Sequence, residues 1–280
     1  MLNAIRISIS AFQEKISGIF RSAKMINNCF FLLAVMTLSI GLSTVAGAVS
    51  GIIFRKLPHK FNDIFLGCAS GVMLGAAIPG LIYPAVKSDV PGALAMSVAG
   101  VFTGAFLISF IDRITPHLHR IAGIEQEKHL HNSHIAKTLL FIAAIAIHKI
   151  PEGIAAGVSF GTGRLNDVLT VAGSISLQNI PEAMVIISPL LAAGVKMKRT
   201  IIISCGIGFI SMLSTLAGFA LVSAIKAGLP FILSVAGGTM LYVVSDEMIP
   251  ETHSHGFEKE STFALISGFM LIVVLQQLLP

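Results

Sequence analysis

The sequence predicts an all-α membrane protein of eight transmembrane helices, and three observations predict it. Of 280 residues, 54% are hydrophobic and only 12% are charged, about half the charged share of a soluble domain. Mean hydropathy is +0.86. The apolar residues fall in eight blocks, 30–54, 63–86, 92–114, 137–160, 167–193, 199–224, 229–249 and 262–279. Each is near the length that crosses about 30 Å of hydrocarbon. A transmembrane unit over residues 30–280 therefore accounts for the chain without a soluble domain.

Taken in order, residues 1–29 mix Arg6, Lys15, Arg21 and Lys24 with Ile5, Ile9, Phe12, Ile16 and Phe20. This pattern predicts an amphipathic extension lying on the membrane, or a targeting segment. Segments two and three carry small residues four apart, Gly67, Gly71 and Gly75, then Gly100 and Gly104. Such spacing lets membrane helices approach closely. The connection after segment three, 115–136, is histidine-rich, with His117, His119, His129, His131 and His134. Imidazoles near neutral pH suit zinc-like ions, although a solvated linker explains them as well. Segments four and five each carry a proline and a glutamate in mid-run. Segment six has no acidic residue anywhere from Lys196 to Lys226.

The net charge of +5 comes from short basic clusters between the apolar blocks. They form no stripe on one surface, which excludes a nucleic-acid partner and makes them topology signals. The loops after segments one, three, five and seven hold eleven basic residues, against three for the loops after two, four and six. The first set is expected in the cytoplasm, with both termini outside and the chain in the cell (inner) membrane. Cys29, Cys68 and Cys205 lie in separate segments, so neither a disulfide framework nor a thiolate zinc site is indicated.

The chemistry concentrates in two near-copies, His148-Lys149-Ile150-Pro151-Glu152-Gly153 and Gln178-Asn179-Ile180-Pro181-Glu182-Ala183. A carboxylate at bilayer depth costs about 2.5–3.5 kcal/mol on insertion scales, so it needs a partner or a task. His148 and Glu152 are four apart and share a helix face, as do Gln178 and Glu182. Pro151 cannot donate to the carbonyl of Ile147, nor Pro181 to that of Leu177. Both prolines are expected to break their helices and free a carbonyl beside the carboxylate. One imidazole, two carboxylates and amide oxygens make a set suited to Zn²⁺, Fe²⁺, Mn²⁺, Co²⁺ or Cd²⁺. The competing explanation is structural, with Lys149 paired to Glu152 or Glu182 to hold helices together.

These motifs resemble the ZIP (Zrt-, Irt-like protein) family of divalent metal transporters, bacterial type. Three more stretches agree: Gly71-Val72-Met73-Leu74; Asp112-Arg113 through Pro116-His117-Leu118-His119; and Gly238-Thr239-Met240 through Val244-Ser245-Asp246-Glu247-Met248-Ile249-Pro250-Glu251. The resemblance implies eight helices, with the metal-bearing fourth and fifth flanked by two inverted three-helix repeats. It also implies inward movement of a divalent ion, no cofactor beyond that cargo, no enzymatic activity and, though no residue here argues it, a homodimer. Carried over, His148, Glu152, Gln178 and Glu182 form the site with Asn179. Asp112, His117 and His119 line the cytoplasmic exit, with Glu247, Glu251, His253 and His255 as weaker candidates.

Two departures matter. Members with two adjacent metals use the residue after the histidine as a ligand, and here it is Lys149, whose ammonium cannot coordinate. They also use a glutamate of segment six, where the nearest polar residue at similar depth is Ser211. The expectation is one metal per site, with Lys149 standing in for the second cation. The main alternative is a carrier of another solute, with Glu152, Glu182 and His148 as a proton relay. A metalloprotease lacks its His-Glu-x-x-His helix. A membrane metal sensor that does not transport is a third reading that the sequence leaves open, with no attached signalling domain to favour it.

Overall fold

The computed structural model describes residues 29–54, 58–121, 133–192, 195–225 and 228–279. Among them the chain is helical throughout, with no strand. Eight long helices run in order: α1 Cys29–Ile53, α2 His59–Val86, α3 Ala93–Ile121, α4 Ser133–Ser159, α5 Leu165–Ala192, α6 Met197–Ala224, α7 Leu229–Thr252 and α8 Glu258–Leu278. Six of them, α1, α2, α3, α6, α7 and α8, are long and apolar enough to cross a membrane. Helices α4 and α5, of 27 and 28 residues, carry the polar motifs.

Local chemistry sets the boundaries. Helix α2 starts after Pro58, and α7 has Pro230 in its first turn, where the missing N–H costs nothing. A short 3-10 turn, Phe160–Thr162, closes α4 and ends on Gly163 at φ 68°. Gly256, before α8, has φ 86°. A Cβ at either glycine would meet nothing within 4 Å, so the left-handed backbone, not space, calls for glycine there. Asp167, in the first turn of α5, pairs with Arg164 through contacts of 2.8 and 3.0 Å.

Helices α2 and α7 are not regular. Ala76–Ile82, around Pro79, and Val244–Met248, just before Pro250, are wound as π-helix. Such stretches cluster at functional positions. The Pro79 carbonyl accepts a hydrogen bond from Gln276 Nε2 of α8 at 3.1 Å. The core between helices is built from Met73, Ala77, Leu81, Ile175, Leu233 and Met240.

Four pairings carry most of the packing: α3 with α7, α2 with α8, α4 with α6, and α1 with α5. Helix α1 also packs on α6, α2 on α5, and α4 on α7. Glycines set these seams. A Cβ on Gly67 would lie 2.6 Å from the Ser261 carbonyl of α8, and one on Gly100 would lie 2.6 Å from the Phe231 carbonyl of α7. Close backbone approach is how small residues drive helix association in lipid.

Several expected boundaries shift. Helix α3 runs to Ile121, past Pro116, and α4 begins at Ser133. The backbone at His117, His119 and His134 is therefore helical, not part of a 115–136 loop. His129 and His131, and the predicted amphipathic extension up to residue 28, lie outside the described residues. Pro151 and Pro181 do not break their helices, because α4 and α5 continue as α-helix through both. One missing donor is tolerated when the turns on either side are packed against neighbours. The interruptions occur at Ala76–Ile82 and Val244–Met248 instead.

Candidate functional site

Helices α4 and α5 touch each other between α6 and α7 on one side and α1 and α2 on the other. At their contact the two motifs meet. Lys149 Nζ donates to Glu152 Oε2 at 2.6 Å, to Asn179 Oδ1 at 2.8 Å, and to Glu182 Oε2. The spacing 149 to 152 puts ammonium and carboxylate on one face of α4, one turn apart. Asn179 and Glu182 have the same spacing on α5.

All four side chains are buried, with Lys149 and Glu152 each 4% exposed. An ammonium has three hydrogens, and here three oxygens receive them. Burying an unpaired charge is costly, while a paired and fully hydrogen-bonded one is sustainable. With two carboxylates around one ammonium, the cluster keeps a formal surplus of one negative charge.

The other predicted ligands are placed differently. His148 Nε2 lies 3.3 Å from Glu247 Oε2, across the contact with α7. Glu247 sits in the Val244–Met248 π-helix of α7. Gln178 is fully buried, and neither its oxygen nor its nitrogen has a hydrogen-bond partner among the described residues. Glu182 Oε1 is buried without one as well. Since a buried polar atom without a partner costs about 1–3 kcal/mol, these oxygens call for an explanation. An oxygen donor set of this kind fits a hard or borderline cation.

The expected four-ligand cluster is thus split in this conformation. Glu152 and Glu182 are together, His148 turns to Glu247, and Gln178 faces the interior on the same side of α5 as Glu182. Among the described residues, no three His, Cys, Asp or Glu side chains converge as a metal site. Ser211 of α6 lies opposite Gly153, the neighbour of Glu152, with its hydroxyl donating to the Ile207 carbonyl in its own helix.

Of the predicted exit residues, Asp112, His117 and His119 lie on α3, where only the backbone is described. Glu251 is exposed in the last turn of α7. His253 contacts the Ile249 carbonyl at 2.6 Å and Thr262 Oγ1 at 3.2 Å. His255 lies 3.1 Å from the buried Asp63 of α2 and stacks on His59 at 5.0 Å between ring centroids. A cavity of about 780 Å³ opens elsewhere, between α2, the start of α5 and the end of α8, beside Pro79, Asp167 and Gln276. None of its lining residues belongs to the acidic cluster.

Sequence reasoning missed α1. Asn179 Nδ2 donates to the Ile40 carbonyl at 3.2 Å, and Ser39 Oγ donates to Ser176 Oγ at 3.0 Å. Asn179 thereby bridges Lys149 and α1. The polar spacing of Ser39, Ser43 and Thr44 was the available signal.

Comparisons with known proteins identify the family. A family model described as ZIP Zinc transporter matches residues 119–276. The chain is 34% identical to "Zinc transporter GufA" of Myxococcus xanthus, over 86% of this chain and 96% of that one. It is 31% identical to "Zinc transporter ZIPB" of Bordetella bronchiseptica, over 83% and 76%. It is 29% identical to "Zinc transporter ZupT" of Chlorobium chlorochromatii, over 89% and 98%.

Proposed function

We propose, from the premise that this chain belongs to the ZIP zinc transporter family, that it carries zinc across a membrane into the cytoplasm. Fe²⁺, Mn²⁺, Co²⁺ and Cd²⁺ are chemically related candidates for the same path. The cargo binds between α4 and α5, held by Glu152, Glu182, Gln178 and His148 with Asn179 beside them. The observation that carries this reading is the buried oxygen set without partners among the described residues, Gln178 Oε1 and Glu182 Oε1, next to the Glu152 carboxylate. The ion loses its hydration shell on entering the membrane, and these oxygens replace it. One ion per site is expected, because Lys149 already contributes one positive charge. His148 joins the ligands by turning away from Glu247. Release follows when the site opens toward Asp112, His117 and His119 on one side and Glu247 and Glu251 on the other. Lys149 tunes the charge, and Pro151 and Pro181 leave carbonyls without their helical donor.

All eight helices cross the bilayer in this reading. Helices α4 and α5, at about 1.5 Å per residue, are each roughly 40 Å long, ample for about 30 Å of hydrocarbon. Two inverted three-helix repeats flank them. The packing supports this: exchanging α1 with α6, α2 with α7, α3 with α8 and α4 with α5 turns each of the four main pairings into another of the four. The π-helices fall in α2 and α7, which are partners under the same exchange. Both termini lie outside the inner membrane. The chain is a carrier without catalytic residues or cofactor, and association into a homodimer is compatible with it.

The test is uptake of labelled zinc, iron, manganese, cobalt and cadmium into proteoliposomes holding wild type, Glu152→Gln or Glu182→Gln. Wild type should take up zinc, and each variant should fall by about tenfold or more, at the level seen when metal-site partners are lost. Wild-type vesicles that accumulate none of the five ions would sink the transport reading. Uptake unchanged in both variants would exclude this site.

A further inference from the structure

The three oxygens around Lys149 are not beside the proposed cargo position; two of them belong to its ligands. Glu152 Oε2 and Glu182 Oε2 both receive the ammonium, as does Asn179 Oδ1 between them. Zinc binds carboxylate oxygen at about 2.0–2.2 Å, while the ammonium stands 2.6 Å from Glu152 Oε2. Two cations sharing one carboxylate, the ammonium on Glu182 Oε2 and the ion on Oε1, lie close enough to repel strongly, and burial removes the water that would screen them.

We infer that Lys149 is a tethered competitor for the cargo, its ammonium holding the carboxylates of the ion-free site and leaving them when a divalent ion arrives. This rests on the transport reading above, and it moves Lys149 from a neighbouring subsite to the main one. The side chain suits the task. Lysine is a compact charge on a flexible four-carbon stem, so it can withdraw without backbone movement. In the ion-free carrier two buried carboxylates would otherwise face each other with no cation between them. Lys149 supplies that cation without loss of the protein's own charge balance. Its return also helps expel the ion, so it should weaken equilibrium binding while easing release. Asn179, which contacts the ammonium and also the Ile40 carbonyl of α1, is placed to guide the exchange.

The test uses purified full-length protein in detergent, as wild type, Lys149→Met and Lys149→Gln. Zinc affinity is measured by calorimetry and stability by thermal unfolding with and without zinc. Both variants should bind zinc about tenfold more tightly or better, since removing a like charge from the site removes its repulsion. Both should unfold at a lower temperature than wild type without metal, and zinc should raise that temperature more than it does for wild type. Unchanged or weaker affinity in the folded variants overturns the inference. So does a variant that remains unfolded when zinc is supplied, because the ion should then replace the ammonium. A wild type that binds no divalent ion overturns the transport reading itself, and the competition falls with it.

Discussion

Two lysines of this chain make ion pairs of nearly equal length, and their surroundings give them different weight. Lys60 reaches Glu260 at 2.7 Å with both side chains about two-fifths exposed. Exposed pairs contribute little, because water screens them and ordering two long side chains costs entropy, so Lys60→Ala should shift the unfolding midpoint little in a thermal melt. Lys149 is buried with two acids, and removing one partner of a buried pair typically costs about 3–5 kcal/mol. Its loss should therefore be visible in the metal-free melt at once. Zinc binding should weaken as pH falls, because carboxylates and imidazole must be deprotonated to coordinate. Calorimetry at a series of pH values checks the direction. At this scale the sequence singled out residues that the fold brings to the contact of α4 and α5, Lys149, Glu152, Asn179 and Glu182. It did not reveal their partners. His148 and Glu152 share a face of α4 by spacing, yet the imidazole meets Glu247 of α7. Periodicity says which residues point together, and only packing says which neighbouring helix they meet.

Helix positions follow closely from hydropathy, while their irregularities do not. All eight apolar blocks became helices, with ends displaced by several residues where polar turns continue a helix beyond its apolar part, as in α3 past Asp112. The prolines of the paired motifs looked like breakers, but the backbone stays α-helical there. The π-helical stretches instead surround Pro79 and precede Pro250. A proline removes one donor wherever it stands, and the response of the turn depends on what is packed around it. The glycine seams were legible from their spacing. Gly71 of α2 meets the backbone of α8 around Leu265 directly. Gly71→Leu should push these helices apart and destabilise the protein by about 1–3 kcal/mol or more, as overpacking does. A melt in detergent, read alongside the milder Gly71→Ala, measures it.

For the molecule as a whole, the order of the long helices among the described residues could be read from the chain, while their pairing could not. Contacts such as Lys60 with Glu260 or Asn179 with Ile40 join residues far apart in sequence, and no local signal encodes them. Orientation rests on loop charge alone, and it can be checked with single cysteines in a background lacking Cys29, Cys68 and Cys205. A membrane-impermeant maleimide should label Asp89→Cys, between α2 and α3, on intact cells. It should label Ser254→Cys, between α7 and α8, only after lysis. The reverse pattern would invert the direction assigned to the ion.

The Ile40 carbonyl is worth following one step further. Besides Asn179 Nδ2, it accepts from Ser43 Oγ at 2.9 Å and Thr44 Oγ1 at 3.2 Å. A carbonyl oxygen offers two lone pairs, so this acceptor is oversubscribed. Should Asn179 rotate off, two hydroxyls stay behind to occupy the oxygen, and nothing on α1 is stranded. The link from the Lys149 cluster to the first helix is thus one whose loss would leave α1 fully bonded, with only the Asn179 amide in need of a new acceptor.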